Sequence, residues 1–330
     1  MLVELPDELS EALAKQFQGM SGRQLGRTTR DLSARYRTGV PAAAPVARSD
    51  SDVVAYAAYR MPATYAADVA ALAALREQRE GWNPRTMLDL GTGLGSGAWA
   101  ATRVWPSIEQ ITALDAQSRM IAVGRELART ASHPALRSVE WVHRDVVVAH
   151  VEGRYDLVLL SYVLGELNPA RIEELIDRAW DVTDGALGVI EPGTPAGYAR
   201  VILARDRLVA GGGFPVAPCP HDPPCAMGDE DWCHFSVRLP RSKMHRAAKG
   251  GTLGYEDEKF SYVAVSRAAV ARTYSRVLRH PRVRGGHIYL QLCTPEGPRT
   301  VVISKRDKEL YNRARKAAWG DAFDFPIEGG

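Results

Sequence analysis

Four cysteines and one glycine-rich loop hold most of the chemistry in this chain. The cysteines are Cys219, Cys225, Cys233 and Cys293. Three fall within fifteen residues, in Cys219-Pro-His-Asp-Pro-Pro-Cys225 … Trp232-Cys233-His234, and the fourth lies sixty residues on. A C-x5-C-x7-C run with a distant partner has the form of a four-thiolate metal site closed by the fold. Thiolates serve zinc and iron–sulfur clusters alike. Zinc ribbons grip one ion with tight C-x2-C knuckles. The wider, proline-rich gaps here suit a bulkier cluster, with zinc as the alternative. His221 and His234 flank the thiols and read as neighbours of the site rather than ligands. In a reducing compartment, clustered cysteines favour metal over disulfides.

The second feature is Leu88-Asp-Leu-Gly-Thr-Gly-Leu-Gly-Ser-Gly97. It follows a short apolar run and precedes a helical one, giving the order strand, loop, helix. Asp89 closes the strand. Gly91, Gly93 and Gly95 let the backbone turn sharply and let a ligand approach. Open α/β sheets bind ligands at the carboxyl ends of their strands. Asp115, at the end of the next strand, is placed for ribose hydroxyls. Asp145, after the third strand, is placed for an adenine amino group. A dinucleotide fingerprint reads G-x-G-x-x-G, whereas this loop reads G-x-G-x-G.

These residues need a scaffold, and the chain supplies one in three stretches. Residues 1–80 read as a helical region. Leu9, Leu13 and Phe17 recur four apart within Leu5–Gln18, Asp31–Arg37 and Val53–Tyr59 continue the pattern, and Pro62–Arg79 is rich in Ala and Leu. Pro41–Pro45 reads as an exposed break. Residues 81–210 alternate strands (Thr86–Leu90, Gln110–Leu114, Val139–His143, Asp156–Leu160, Ala186–Ile190) with helices (Gly97–Val104, Ser118–Thr130, Pro169–Val182, Ala196–Val209). That alternation implies a Rossmann-like α/β fold, a doubly wound parallel sheet. Residues 211–330 hold the cysteine stretch, which has little core of its own. They also hold further strands at Phe260–Ser266, Ile288–Cys293 and Thr300–Ser304, and a basic helix at Lys308–Ala318. The last residues read as loose.

The chain has 330 residues, 45% hydrophobic and 25% charged, and a net charge of +3. That balance is ordinary for a globular protein, and no apolar run is long enough to cross a bilayer. Charge is unevenly spread. Ser236–Lys316 holds nineteen Lys and Arg against six Asp and Glu, which points to a polyanionic partner. Glu4, Asp7, Glu8 and Glu11 give the start of the chain the wrong charge for a secretory or import leader, so the expected location is cytoplasmic.

The loop and its strand, Thr86-Met-Leu88 onward, resemble motif I of class I S-adenosylmethionine-dependent methyltransferases over about Thr86 to Pro192. Asp115 and Asp145 match that family's ribose and adenine positions. The cysteine block narrows the resemblance to the methyltransferase-like proteins of the mitochondrial small ribosomal subunit and their bacterial relatives. Further matching blocks are Tyr56–Tyr65, Ser161–Leu167, Glu191–Pro195 and Lys259–Tyr262, so the resemblance covers roughly residues 20–305. It implies a small-subunit assembly factor that contacts ribosomal RNA. It also implies a [4Fe-4S] site at Cys219, Cys225, Cys233 and Cys293. The cofactor positions are Asp89, Gly91, Gly93, Gly95 and Asp115, taken together with Asp145 and Ser161.

No catalytic residue is assigned. Base-amine methylases of this fold often carry an Asn/Asp-Pro-Pro-Tyr/Phe loop after the fourth strand, and this chain has Ser161-Tyr-Val-Leu-Gly-Glu166 instead. Pyrimidine C5 methylases need a cysteine nucleophile, and all four thiols read as metal ligands. Glu166 and Glu191 are the carboxylates nearest a transferred methyl in this reading. Two functions follow: a methyltransferase acting on small-subunit ribosomal RNA, or a factor that docks on the small-subunit precursor without turnover. A small-molecule methyltransferase with a structural zinc is the alternative.

Overall fold

The computed structural model describes residues 2–17, 25–31, 49–228, 230–241, 246 and 253–324. Helix α1 (Asp7–Gln16) buries Leu9, Ala12 and Leu13. Helix α2 (Asp50–Gln78) starts where Ser49 Oγ accepts from Asp52 N at 3.2 Å. It is buried at every position from Met61 to Val69. A helix apolar on all sides lies inside the protein, and α2 packs on the face of the main sheet. Of the sequence expectations, 32–37, the break at 41–45 and the final residues 325–330 lie outside the described residues.

The Rossmann-like alternation is present as β1 (Thr86–Leu90), α3 (Ser96–Val104), β2 (Gln110–Asp115), α4 (Ser118–Ala128), β3 (Glu140–His143), β4 (Tyr155–Ser161), α5 (Pro169–Asp181), β5 (Thr183–Pro192) and α6 (Pro195–Ala210). Strands β1–β5 pair in parallel. Three later strands complete the sheet: β6 (Phe214–Ala217), β7 (Phe235–Pro240) and β8 (Tyr255–Ser266). The order is β3-β2-β1-β4-β5-β8-β6, with β7 also on β8. β8 runs antiparallel to β5, β6 and β7. The first half of β8 pairs with β7, and the second half lies between β5 and β6. The cysteine stretch is therefore an excursion between β6 and β7.

The two-residue period of the strands divides the core. Met87, Leu157 and Leu159 join the cluster under α2 and α3, while Leu88, Val158 and Leu160 join the cluster under α5 and α6. Strand order reverses between β1 and β4, so the crevice of an open sheet opens at their carboxyl ends.

A smaller antiparallel sheet follows: β9 (Arg276–Val277), β10 (Arg282–Arg284), β11 (His287–Thr294) and β12 (Gly297–Ser304). Gly285 and Gly286, both at positive φ, make the two-residue turn between β10 and β11. Pro295-Glu296 turns β11 into β12. One face of this sheet packs on α7 (Lys308–Lys316) through Ile288, Leu290, Leu292, Leu310 and Tyr311. Among the described residues no helix is long and apolar enough to cross a membrane.

Candidate functional site

Two arrangements carry chemistry. The first sits at the carboxyl edge of β1, β2 and β4. Gly91, Gly93 and Gly95 have φ of 76°, 55° and 87°, the left-handed region that favours glycine. A Cβ at Gly91 would stand 2.4 Å from Val163 Cγ2, and one at Gly95 would stand 2.9 Å from Trp141. Gly93 N donates to Asp115 Oδ2 at 2.8 Å, and Gln117 N donates to Oδ1 at 2.7 Å. Asp115 therefore ties the loop to the end of β2. Burial raises its pKa, against those two N–H groups and nearby His143.

Asp89 lies beneath the loop, where its Oδ2 accepts from Thr92 Oγ1 at 2.6 Å. Burial pushes its carboxyl up to about 7. Asp145 is exposed and accepts from Val147 N at 2.8 Å, which shapes its own turn. Ser161 Oγ donates to Asp68 Oδ1 at 2.5 Å. The structure thus brings Asp89, Asp115, Ser161 and the three glycines to one edge.

Helix α2 adds to this edge Tyr56 and Arg60, from the Tyr56–Tyr65 block, and Asp68, which the sequence did not single out. Asp68 is wholly buried, and its Oδ2 has no hydrogen-bond partner. Burial and neighbouring Asp89 push its carboxyl up to about 8. Tyr56 Oη lies 3.7 Å from where a Gly93 Cβ would be. Arg60 and Tyr162 both donate to Glu258 Oε1 at 3.1 Å, and the Arg60 guanidinium lies 4.4 Å over the Tyr162 ring. Tyr162 is the one non-glycine residue at positive φ among those described, at 56°. It follows β4 directly, where an acceptor-side loop would lie. The signal for Asp68 was a lone carboxylate in an Ala/Leu-rich helix. Glu191 is buried, paired with Arg200 at 2.7 Å, and accepts from Leu164 N at 3.0 Å, which fixes the turn after β4. Glu166 is exposed.

The second arrangement is the thiol pocket. Cys219, Cys225, Cys233 and Cys293 line one cavity, the last contributed by β11 of the smaller sheet. All four are unpaired. Burial raises the Cys233 thiol, and the charges of the other three raise it further. Tyr198 Oη donates to Cys225 Sγ at 3.2 Å, and His221 Nε2 lies 3.6 Å from Cys293 Sγ. His234 packs instead between Trp232 and Trp319.

Two guanidinium groups complete the pocket, each on a side chain 1% exposed. Arg205 Nη2 donates to the carbonyls of His221, Asp222 and Pro223 at 3.1, 2.9 and 2.6 Å. It thereby holds the loop between the first two cysteines. Arg276 Nε donates to Pro218 O at 3.2 Å. Arg205 Nε and Arg276 Nη2 remain without partners. Arg205 was recognisable in principle, because it shares the buried face of α6 with Val201, Ala204 and Leu208. Among the described residues no three His, Cys, Asp or Glu side chains stand ready as the ligand set of a metal ion. The thiols ring a pocket without closing on one point.

Within the basic stretch Ser236–Lys316, Arg238 is held by Asp257 and Arg241 by Glu256. Arg246 reaches the Arg241 carbonyl, and Lys243 lies outside the described residues. Arg282 and Arg284 make no ion pair among the described residues and are exposed.

Residues 50–324 match the family described as mitochondrial small ribosomal subunit Rsm22, and the chain belongs to that family. It is 28% identical to the mitochondrial ribosome assembly protein METTL17 of Homo sapiens, over 81% of this chain and 61% of that one. It is 24% identical to the mitochondrial Rsm22-cox11 tandem protein 1 of Schizosaccharomyces pombe, over 97% of this chain and 50% of that one. The chain thus spans about half the length of the curated relatives it matches. Among solved structures, a putative RNA methyltransferase from Pyrococcus horikoshii aligns at 15% identity and a TM-score of 0.40. That alignment covers 64% of this chain and 88% of that one, a likeness too distant to bear on activity.

The family and these relatives are mitochondrial by name, which overturns the cytoplasmic expectation. Its premise was the acidity of the first residues. Asp7 and Glu8 instead fill the first turn of α1, where carboxylates favour the helix dipole, and α1 is part of the packed fold.

Proposed function

We propose that this member of the Rsm22 family is a small-subunit ribosome assembly factor that docks on ribosomal RNA. In this reading S-adenosylmethionine binds at the glycine-loop edge and a four-thiolate cluster braces the β6–β7 excursion. The carrying observation is the convergence of Cys219, Cys225, Cys233 and Cys293 with Arg205 and Arg276 on one pocket. The residues fit such a group in donor type. Four thiolates around a [4Fe-4S] core of charge +2 leave −2, and Arg205 and Arg276 offset part of it, since each presents an unpartnered N–H while also pairing with a carboxylate, Asp206 at 2.7 Å and Glu77 at 3.9 Å. A zinc ion in four thiolates would carry the same charge. It would need sulfurs about 3.8 Å apart, from bonds of about 2.3 Å, and among the described residues no ligand set that close is assembled. The cluster, when bound, supplies a rigid four-point anchor.

At the glycine loop, Asp115 and the N–H groups it organises would hold the ribose side. Asp68 and Ser161 lie on the other side of the strand-order reversal. Tyr162, Arg60 and Glu258 bond to one another across the space after β4. That supports docking without turnover over methyl transfer. The test is anaerobic purification with iron, sulfide and zinc analysis, followed by co-sedimentation with small-subunit precursors. About four irons per chain and co-sedimentation lost in Cys225→Ser would support the reading. One zinc per chain would replace the cluster by an ion. Full co-sedimentation of a metal-free variant would refute the bracing role.

A further inference from the structure

We propose that the open face of the smaller sheet is a platform for single-stranded RNA. On it Tyr289 stacks a base, while Arg282 and Arg284 meet phosphates. This rests on the ribosomal-RNA reading above and gives it a surface and a strand state. The other face of the sheet is covered by α7; on the Tyr289 face, the Cys293 end meets the thiol pocket and the β10 end is open. On the open face, the antiparallel registers set Arg282 opposite Tyr289 and Tyr289 opposite Val302. Directly opposed side chains share a face at about 4.5–5.5 Å between Cβ atoms. Arg282, Tyr289 and Val302 therefore form one row across three strands. The next row is Arg284, His287 and Ser304, and Gln291 with Thr300 lies on the far side.

The exposure of this face is unusual for its chemistry. Val302 is 53% exposed, Tyr289 is partly exposed, and Arg282, Arg284 and His287 are exposed. An aromatic ring and an aliphatic side chain at the surface, bordered by arginines, match what an unstacked base needs. The base takes a flat apolar contact, and the backbone takes positive charge beside it. No Asp or Glu occurs in β10, β11 or β12. The cations are also available, since Arg282 and Arg284 have no carboxylate partner among the described residues, whereas Arg238 and Arg241 do. A duplex would present its phosphates but not its base faces, so the ring selects single strands.

The test is fluorescence anisotropy of the full chain with a short labelled oligoribonucleotide of mixed sequence. The same strand annealed in a duplex serves as comparison, across a salt series. Tyr289→Ala is expected to weaken single-strand binding roughly 5- to 100-fold, while Tyr289→Trp retains it. Arg282→Ala with Arg284→Ala is expected to lower the log–log salt slope by about 1.4. These arginines are exposed, so their loss leaves the core untouched. Wild-type binding that is unchanged in both the Tyr289→Ala and double-arginine chains overturns the platform and leaves the RNA reading standing. A preference for the duplex also overturns it. A wild-type chain that binds neither RNA sinks the platform together with the function it rests on.

Discussion

Replacing Asp68 by Asn tests whether α2 buries a protonated carboxyl at the glycine-loop edge. Asp68 is wholly buried, with Ser161 on Oδ1 and nothing on Oδ2. Burial dominates and pushes its pKa from 3.8 to about 8; Asp89 adds to the rise, while Ser161, Ser96 and Arg60 oppose it. In the unfolded chain the group titrates near 3.9. The folded pKa is the higher one, so the folded state holds a proton that the unfolded state has lost. The resulting stability is fully present below about pH 4 and is lost as pH rises to about 8. The slope cannot exceed about 1.4 kcal/mol per pH unit, and the whole window is worth at most about 6 kcal/mol. Asn keeps the shape and has no proton to lose. Urea midpoints of both chains between pH 5.5 and 7.5 should therefore diverge. The variant should gain on wild type by on the order of 1 kcal/mol per pH unit. Asp89 has the same sign and largely cancels in the difference. Hydrogen-bond changes made by the amide shift the two curves apart without tilting them. A gap that is constant, or that shrinks with rising pH, would refute a protonated Asp68.

Other perturbations probe the remaining parts. Asp115→Ala removes the acceptor for Gly93 N and Gln117 N, and S-adenosylmethionine affinity by calorimetry should fall by roughly 1.5–3 kcal/mol; unchanged affinity would remove Asp115 from the site. Arg205→Met strips the donor from three loop carbonyls and a countercharge from the thiols. Metal per chain should drop, and the metal-loaded protein should lose about 3–5 kcal/mol. An equal loss in the metal-free protein would make Arg205 a loop brace alone. Gly91→Ala forces a side chain into positive φ against Val163, costing about 2–4 kcal/mol in denaturant titrations. A smaller loss would show that Val163 yields.

The parallel half of the sheet was legible because each strand is a short apolar run framed by a helix, a pattern local to the sequence. The glycine loop was legible for the same reason. The first half of β8, Tyr255-Glu-Asp-Glu-Lys259, was not read as strand. It forms an exposed hairpin with β7 and alternates partly with solvent, so its apolar signal is thin. β6 and β7 were missed because Pro215 and Pro240 argue against strands until an edge position is known. Arg276 and Asp68 could not be seen as buried from their types, which usually lie at the surface, and for Arg205 only its spacing with Val201, Ala204 and Leu208 pointed inward. What buries them is contact with carbonyls, thiols or a hydroxyl far away in sequence. The four cysteines were recognisable as a set, but their meeting in one pocket depends on where β11 docks.

Because Cys293 belongs to the smaller sheet and the other three thiols to the excursion from the larger one, the site has an order of events written into it. On a chain made from its amino end at about 5–20 residues per second, Cys233 emerges roughly 3–12 s before Cys293. During that interval three thiols exist without their fourth. The pocket cannot close until β11 has been synthesised and paired with β9, which also brings Arg276 opposite Cys293. The four thiols are therefore brought together late, and a chain truncated before β11 would carry only three of them.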